Sequence, residues 1–385
     1  MAIESDSLRY MLSLIETTRE DAINGYIATI EKNSVGREID LSEKPPLVTG
    51  GNWKVRIIRD NATKQLFAIK TKKYVIDDMD IKPFQFGGSR MSHDAYSQFE
   101  DLKRHVAMES YIFHVLGKHH PHIARVVNTT IDINKHELCL KMDHYSGTVA
   151  DLIQKIGPLA PHTLKKFMRH ALLALAHCHA NLVIHCDVKP ENILVDIQDY
   201  PSTTPDFFIG KEGVVGHGGV VGKSVVFRLS DFDMGKLLLP APHPEFVVGP
   251  DYAVNSVGFK PPEIVCGANY GYPVDIWGLG VSVIHMHCDT RMSVLLKVGK
   301  DAELQRELEM QSVYCGAIDP EELTGGVNPY GLIACDLSEA LGSGVERCFG
   351  KVGRDLVWLL NGIFVANPER RITAKAALMD PYFYM

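Results

Sequence analysis

Apolar positions along the 385-residue chain change their period from segment to segment, and each period predicts an element. Leu8, Met11, Leu12 and Ile15, then Ile23, Ile27 and Ile30, recur at spacings of three and four. That places them on one face of amphipathic helices, with Ser5 or Asp6 positioned to cap the first turn. These helices precede the main body of the fold and are expected to pack on it. Lys54 to Ile58 and Gln65 to Lys70 read as strands flanking the turn signal Asp60-Asn61. The polar, Gly-containing segment from Val75 to Ser97 has weak periodicity and predicts an inserted loop, followed by a helical pattern from His105 to Leu116. Beyond about Leu164 helical patterns dominate, with one Gly-rich interruption between Tyr200 and Lys223 that predicts a flexible surface loop. A strand-rich first part and a helix-rich second part predict an α+β protein of two lobes.

Composition narrows the classes. Hydrophobic residues make up 45% and charged residues 23%, enough apolar material for a large core. The net charge of −7 arises from interspersed residues rather than blocks, so no nucleic-acid partner is expected. The start, MAIESDSLRYML, carries acid where a secretory signal needs a basic region, and no run approaches the ~18 apolar residues of a membrane span. No membrane association is therefore expected. The eight cysteines form no CxxC pair, which predicts reduced thiols and a cytoplasmic or nuclear setting. Oligomeric state is not encoded in any pattern we find.

The segment richest in chemistry is His185-Cys186-Asp187-Val188-Lys189-Pro190-Glu191-Asn192. Phosphoryl transfer asks a protein for positioning and charge neutralisation, hence a carboxylate at the attacking hydroxyl and oxygen ligands for Mg²⁺. One loop offers both: Asp187 to accept a hydroxyl proton, Lys189 to neutralise a γ-phosphate, Asn192 to give an amide oxygen to the metal. Alone, an Asp followed by an Asn five residues on is also read as a capped turn. A second motif, Leu229-Ser230-Asp231-Phe232-Asp233, places another carboxylate directly after a short strand.

Together these motifs resemble the catalytic loop and the Mg²⁺-binding Asp-Phe-Gly motif of the eukaryotic protein kinase family. The order of the remaining landmarks agrees. Phe67-Ala68-Ile69-Lys70 is similar to the strand with the ATP-anchoring lysine, and Glu109 sits where its ion-pair partner belongs. Pro261-Pro262-Glu263 resembles Ala-Pro-Glu, Asp275-Ile276-Trp277-Gly278-Leu279-Gly280 the helix after it, and Asn367-Pro368-Glu369-Arg370-Arg371-Ile372 the closing arginine motif. The resemblance implies a two-lobed kinase fold over 46–385, with an N-lobe over 46–144, a C-lobe over 145–385, insertions at about 75–97 and 196–223, and a helical extension over 1–45. It implies ATP and Mg²⁺ as cofactors and a structural ion pair between Glu263 and Arg371. It implies an adenine pocket faced by Val55, Ala68 and Leu194, gated by Met142, with backbone groups offered by Asp143 and Tyr145. Divergent loops and long insertions are similar in style to kinases of large DNA viruses, in which case the host cell is the setting.

Departures from the family pattern bear on activity. At the three glycine positions of the phosphate-covering loop stand Val48, Gly50 and Trp53, and Trp53 cannot admit phosphate to the backbone as glycine does. Cys186 replaces the arginine that reads a phosphate on the activation segment, and between Met234 and Tyr252 there is no Ser, Thr or Tyr. Asp233 replaces the glycine of Asp-Phe-Gly. Two tempting motifs fail. Gly216 to Ser224 has His217 where a Walker loop needs glycine, and His119-His120-Pro121-His122 lacks a second ligand set.

Lys189 matches the serine/threonine version of the catalytic loop, and Ser256 occupies the position of a small hydroxyl residue that touches base and lysine. The expected function is transfer of the γ-phosphate of ATP to serine or threonine of a protein substrate. A catalytically weak pseudokinase scaffold and a small-molecule phosphotransferase of kinase-like fold stay open as alternatives.

Overall fold

The computed structural model describes residues 20–33, 48–50, 53–60, 63–73, 93–117, 119–132, 135–199, 208–210, 213–215, 223–238, 249, 251, 254–287, 300–326, 328–336 and 353–384. They fall into two compact units, residues 1–120 with 124–144, and residues 121–123 with 145–385.

The first unit is built on a five-stranded antiparallel sheet in the order β1-β2-β3-β5-β4, from β1 (Val48–Gly50), β2 (Trp53–Arg59), β3 (Leu66–Lys73), β4 (Val126–Asp132) and β5 (Glu137–Asp143). The β2–β3 turn forms where Asp60-Asn61 predicts it. Asp60 Oδ1 accepts the backbone N–H and hydroxyl of Thr63 at 2.8 and 3.0 Å, and Lys64 takes the left-handed conformation at φ 61°. Before the sheet lies α1, described over residues 20–33, whose Ile23, Ile27 and Ile30 are buried as their spacing predicts. Helix α2 (His93–Leu116) packs beside it. Tyr26 Oη donates to Ser110 O at 3.1 Å and accepts from Ser110 Oγ at 3.0 Å, its ring lies against Tyr111 and His114, and Glu31 pairs with Lys103. The predicted helix containing Leu8 to Ile15 lies outside the described residues.

Helix α2 corrects one expectation, because it begins at His93 inside the segment read as an inserted loop. Its first turns, His93-Asp94-Ala95-Tyr96-Ser97-Gln98, are polar enough to carry no apolar stripe, so periodicity was blind to them. Residues 75–92 lie outside the described residues.

In the second unit, a three-stranded sheet β11-β8-β6 joins β6 (Gly147–Thr148), β8 (Ile193–Asp199) and β11 (Lys223–Leu229), and a smaller one pairs β7 (Val183–Ile184) with β12 (Lys236–Leu237). The β8–β11 ladder runs from Ile193↔Leu229 out to Asp199↔Lys223, and β9 (Phe208–Gly210) and β10 (Gly213–Val215) pair with each other between them. The segment 196–223, expected as a loop, is therefore strand at both ends. Asp196 gains a partner across the ladder, accepting from Arg228 Nε and Nη2 at 3.1 and 2.9 Å, which lets a charged residue occupy a strand.

Helices supply the rest: α3 (Val149–Ile156), α4 (Pro161–Ala180), α5 (Pro262–Cys266), α6 (Pro273–His287), α7 (Lys300–Cys315), α8 (Pro320–Thr324), α9 (Arg354–Ile363) and α10 (Ala374–Ala377). Helix α3 starts in a capping box between Thr148 and Asp151, and α4 starts with Pro161 at its first position. Helix α4 buries Leu164, Phe167, Met168, Ala171, Leu172 and Leu175. Helix α6 is buried nearly all round, and at Gly278 it passes so close to the 185–192 loop that a Cβ would stand 2.8 Å from Val188 O. Only glycine permits that approach. No helix among the described residues is long and apolar enough to cross a membrane.

Candidate active site

The loop from His185 to Asn192 hangs on one buried carboxylate of α6. Asp275, with no solvent exposure, accepts the backbone N–H of His185 on Oδ2 and of Cys186 on Oδ1, both at 2.9 Å. His179 Nε2 lies 2.9 Å from Oδ2 as well. His185 continues the scaffold: its Nδ1 accepts from Asp187 N at 3.2 Å, so the proton sits on Nε2, which donates to Ser230 O at 2.8 Å. Its ring packs on buried Phe232 at 4.6 Å between centroids. Backbone and imidazole thus tie the first motif to the second.

Asp187 is buried, and its carboxylate receives four donors. Lys189 Nζ and Asn192 Nδ2 reach Oδ2 at 2.7 and 2.8 Å, while the backbone N–H and hydroxyl of Ser256 reach Oδ1 at 3.0 and 2.8 Å. Burial alone would raise its pKa. The hydrogen bond and charge of Lys189, with the Ser256 hydroxyl, outweigh burial and hold the carboxyl below its ordinary value. Lys189 Nζ also donates to Ser256 Oγ at 2.6 Å, which closes the triangle among the three side chains.

Asn192 spends its amide on Asp187, donating to the backbone O and to Oδ2, both at 2.8 Å. Its Oδ1 is therefore turned the other way. Ser230 N donates to Asn192 O at 2.9 Å, which sets Asp231 next along the chain beside that loop. Asp231 takes the left-handed conformation, φ 63° and ψ 67°, a strained choice for a non-glycine residue. An amide oxygen and a partly exposed carboxylate are hard donors of the kind Mg²⁺ takes, in a set that leaves room for water and phosphate oxygens. The donor chemistry fits the ion.

In the first unit, Lys70 on β3 and Glu109 on α2 come together: Lys70 Nζ lies 3.0 Å from Glu109 Oε1, both side chains buried. Lys72 Nζ reaches Oε2 of the same carboxylate at 2.8 Å. Burial would raise the Glu109 pKa, but the two ammoniums hold it well below the ordinary glutamate value. The Trp53 ring centroid stands 5.5 Å from Lys70 Nζ, within cation–π reach. Val55 pairs with Lys70 across the β2–β3 ladder, so Val55 and Lys70 lie on one face with Ala68. Val48 pairs with Val55 and Gly50 with Trp53 in backbone register, and the side chain of Val48 lies outside the described residues.

The remaining expected contacts are distributed as follows. Asp143 gives its N–H to Arg125 O at 3.1 Å, so any nucleotide contact from it falls to its carbonyl. Met142 is buried. Tyr145 is half-buried beneath the Arg228 guanidinium at 5.6 Å, and half-buried Leu194 pairs with Thr148 across β6–β8.

Cys186, at φ 63°, is fully buried among Ile184, Leu238, Val254, Ile264, Tyr270 and Val274, and burial pushes its thiol well above the ordinary range. Glu263 and Arg371 form a buried two-pronged pair at 2.7 and 2.8 Å. His122 stacks on His170 at 3.9 Å, and burial lowers both imidazoles, His170 to about 3. The rings act as packing.

Sequence reasoning missed Lys72 and the anchoring function of Asp275. Lys72 follows Lys70 by two, the period that puts both on one strand face. Asp275 is signalled only by being an acid at the start of an otherwise apolar helix.

A family model described as protein kinase domain matches residues 44–383. Among curated proteins, the chain is 27% identical over 320 residues to the serine/threonine-protein kinase GIN4 of Saccharomyces cerevisiae, which covers 78% of this chain and 24% of that protein. It is 25% identical over 230 residues to mitogen-activated protein kinase kinase kinase 1 of Homo sapiens, 60% of this chain and 12% of that one. It is 25% identical over 267 residues to cell division control protein 2 homolog 3 of Trypanosoma brucei brucei, 69% of this chain and 74% of that one. The chain spans a quarter or less of the human and yeast relatives.

Proposed function

Since the chain belongs to the protein kinase family, we propose that it transfers the γ-phosphate of ATP to serine or threonine hydroxyls of a protein substrate. The observation carrying this reading is the Asp187 carboxylate fixed by Lys189, Asn192 and Ser256.

In this reading Asp187 orients the acceptor hydroxyl and takes its proton as the new bond forms. Its lowered pKa keeps it ionised at neutral pH, as a proton acceptor must be. Lys189, already held by Asp187 and Ser256, neutralises the transferring group. Lys70, steadied by Glu109, would hold the inner phosphates, and the resemblance assigns the rest of the nucleotide to Val48, Gly50, Val55, Ala68, Asp143, Tyr145 and Leu194. Asn192 and Asp231 would hold Mg²⁺, which when bound offsets charge on the phosphates. Lys189 and Ser256 favour serine or threonine as the acceptor, a preference supported by the names of the serine/threonine kinases it resembles. The six described cysteines are free, which fits a reducing compartment, cytoplasm or nucleus.

The scaffold reading keeps two specific supports, Trp53 over Lys70 and Asp233 after Phe232. The buried Glu263–Arg371 pair favours a protein substrate over a small molecule, because the resemblance assigns that pair to the protein-substrate platform.

A transfer assay with radiolabelled ATP on generic acidic and basic proteins tests the proposal. Asp187→Ala and Asp231→Ala should each lower turnover by about 10³-fold or more. Asp231→Ala should also lose Mg²⁺-dependent nucleotide affinity, while Asp187→Ala largely keeps it. Absence of transfer by the unmodified chain, with nucleotide binding intact, would favour the scaffold.

A further inference from the structure

Strand β3 presents a second lysine where an inward-facing strand position ordinarily carries an apolar side chain. Lys72 is 2% exposed, on the same face as Lys70, and the two lysines divide Glu109 between them: Lys72 to Oε2 at 2.8 Å, Lys70 to Oε1 at 3.0 Å. Burying an ammonium this deeply is costly unless a carboxylate compensates, so Lys72 and Glu109 depend on each other.

The two lysines are not equivalent. Lys72 stands in the central part of the sheet, paired with Trp53 on β2 and Leu138 on β5, and its side chain is almost wholly enclosed. Lys70 is the more exposed of the two at 9%, and its ammonium also faces the Trp53 ring at 5.5 Å. A lysine that also takes up a phosphate oxygen shares its three donors between phosphate and glutamate. In a chain with a single pair, the buried carboxylate would then rest on that divided ammonium alone. Here Lys72 keeps its own oxygen whatever Lys70 does.

We propose that Lys72 is the positioning residue that fixes Glu109 and with it the middle of α2, which leaves Lys70 to the nucleotide. The second half of this statement rests on the kinase reading above, whereas the first half does not.

Hydrogen exchange of α2 amides, read on the full chain without nucleotide, separates the two. Lys72→Met keeps most of the stem and removes the charge. It should speed exchange around Glu109 by about tenfold, as Glu109→Gln does, while Lys70→Met stays within about threefold of the unmodified protein and Lys72→Arg stays close to it. In transfer assays Lys72→Met should lose about tenfold in kcat/KM, with Lys72→Arg restoring most of it. Equal loosening by Lys70→Met and Lys72→Met, or no loosening by Lys72→Met, would overturn the assignment. If Lys72→Met does not fold, the Glu109→Gln/Lys72→Met double variant decides. Exchange matching Glu109→Gln alone supports action through Glu109, and a further rise refutes it. An unmodified chain that transfers no phosphate defeats the kinase reading and leaves the exchange result standing.

Discussion

Ser256 and Asp187, far apart in sequence, meet through two hydrogen bonds on one oxygen, the backbone N–H at 3.0 Å and the hydroxyl at 2.8 Å from Oδ1. The same hydroxyl accepts from Lys189 at 2.6 Å, so a single side-chain oxygen couples the carboxylate to the ammonium. Removing it in Ser256→Ala should lower kcat by about tenfold through misplacement of Lys189, with the backbone N–H still holding Asp187. Steady-state kinetics check this, and Ser256→Thr should recover most of the loss.

Acceptor choice is a separate question. Hydrolysis of the labelled product should yield phosphoserine or phosphothreonine, as Lys189 and Ser256 imply. Phosphotyrosine as the main product would reverse the assignment.

The pH dependence of stability has a definite sign at Asp187. Its folded pKa lies below the ordinary 3.8, so its contribution is complete above that value and declines as pH falls through the lower, folded one. Urea unfolding of the unmodified protein and Asp187→Asn should therefore differ by a constant amount from neutral pH down to about 4, and by less below it. A difference that shrinks between pH 7 and pH 5 would contradict the arrangement of donors described above.

The Glu263–Arg371 pair lies far along the chain from the loop of Asp187, and both side chains are essentially without solvent exposure. Arg371→Met leaves Glu263 buried with its main partner gone and should cost about 3–5 kcal/mol of stability. Denaturant titration measures this. Nucleotide affinity per folded molecule should change little.

Control of activity should not run through phosphate on the activation segment, and treatment with phosphatase should leave turnover unchanged. Deletion of residues 1–40 should instead lower activity at matched folding, because α1 grips α2 through Tyr26, Ser110 and the Glu31–Lys103 pair. Tyr26→Phe should reproduce a small part of that loss, about 1 kcal/mol of local stability seen as faster exchange in α2.

Much of this was legible in the chain because it depends on order and short-range spacing. Lys70, Asp187, Asn192 and Asp231 each sit in a motif whose neighbours mark it, Glu109 is marked by its place in the helical pattern from His105 to Leu116, and Ile23, Ile27 and Ile30 declare a buried face by period alone. What escaped depends on partners remote in sequence. Asp196 reads as a loop residue until Arg228 is placed diagonally from it on the neighbouring strand, and the opening turns of α2 carry no stripe to detect. Lys72 is one lysine among many until the fold sets it against Glu109. Asp275 became an anchor only when three donors from α4 and the His185 loop converged on it.

The apolar seat of Cys186 also bears on how this chain can change. Cys186→Arg would match the family's usual wording but would drive a guanidinium between Ile184, Leu238, Val254 and Val274, beside a buried carboxylate, Asp275, whose oxygens are already taken by two backbone N–H groups and His179, at a cost of several kcal/mol. One substitution cannot therefore give the segment charge-based switching. The pocket, the acceptor of the phosphate and the arginine would have to arrive together, so control by phosphate at this segment is closed to any single-residue change.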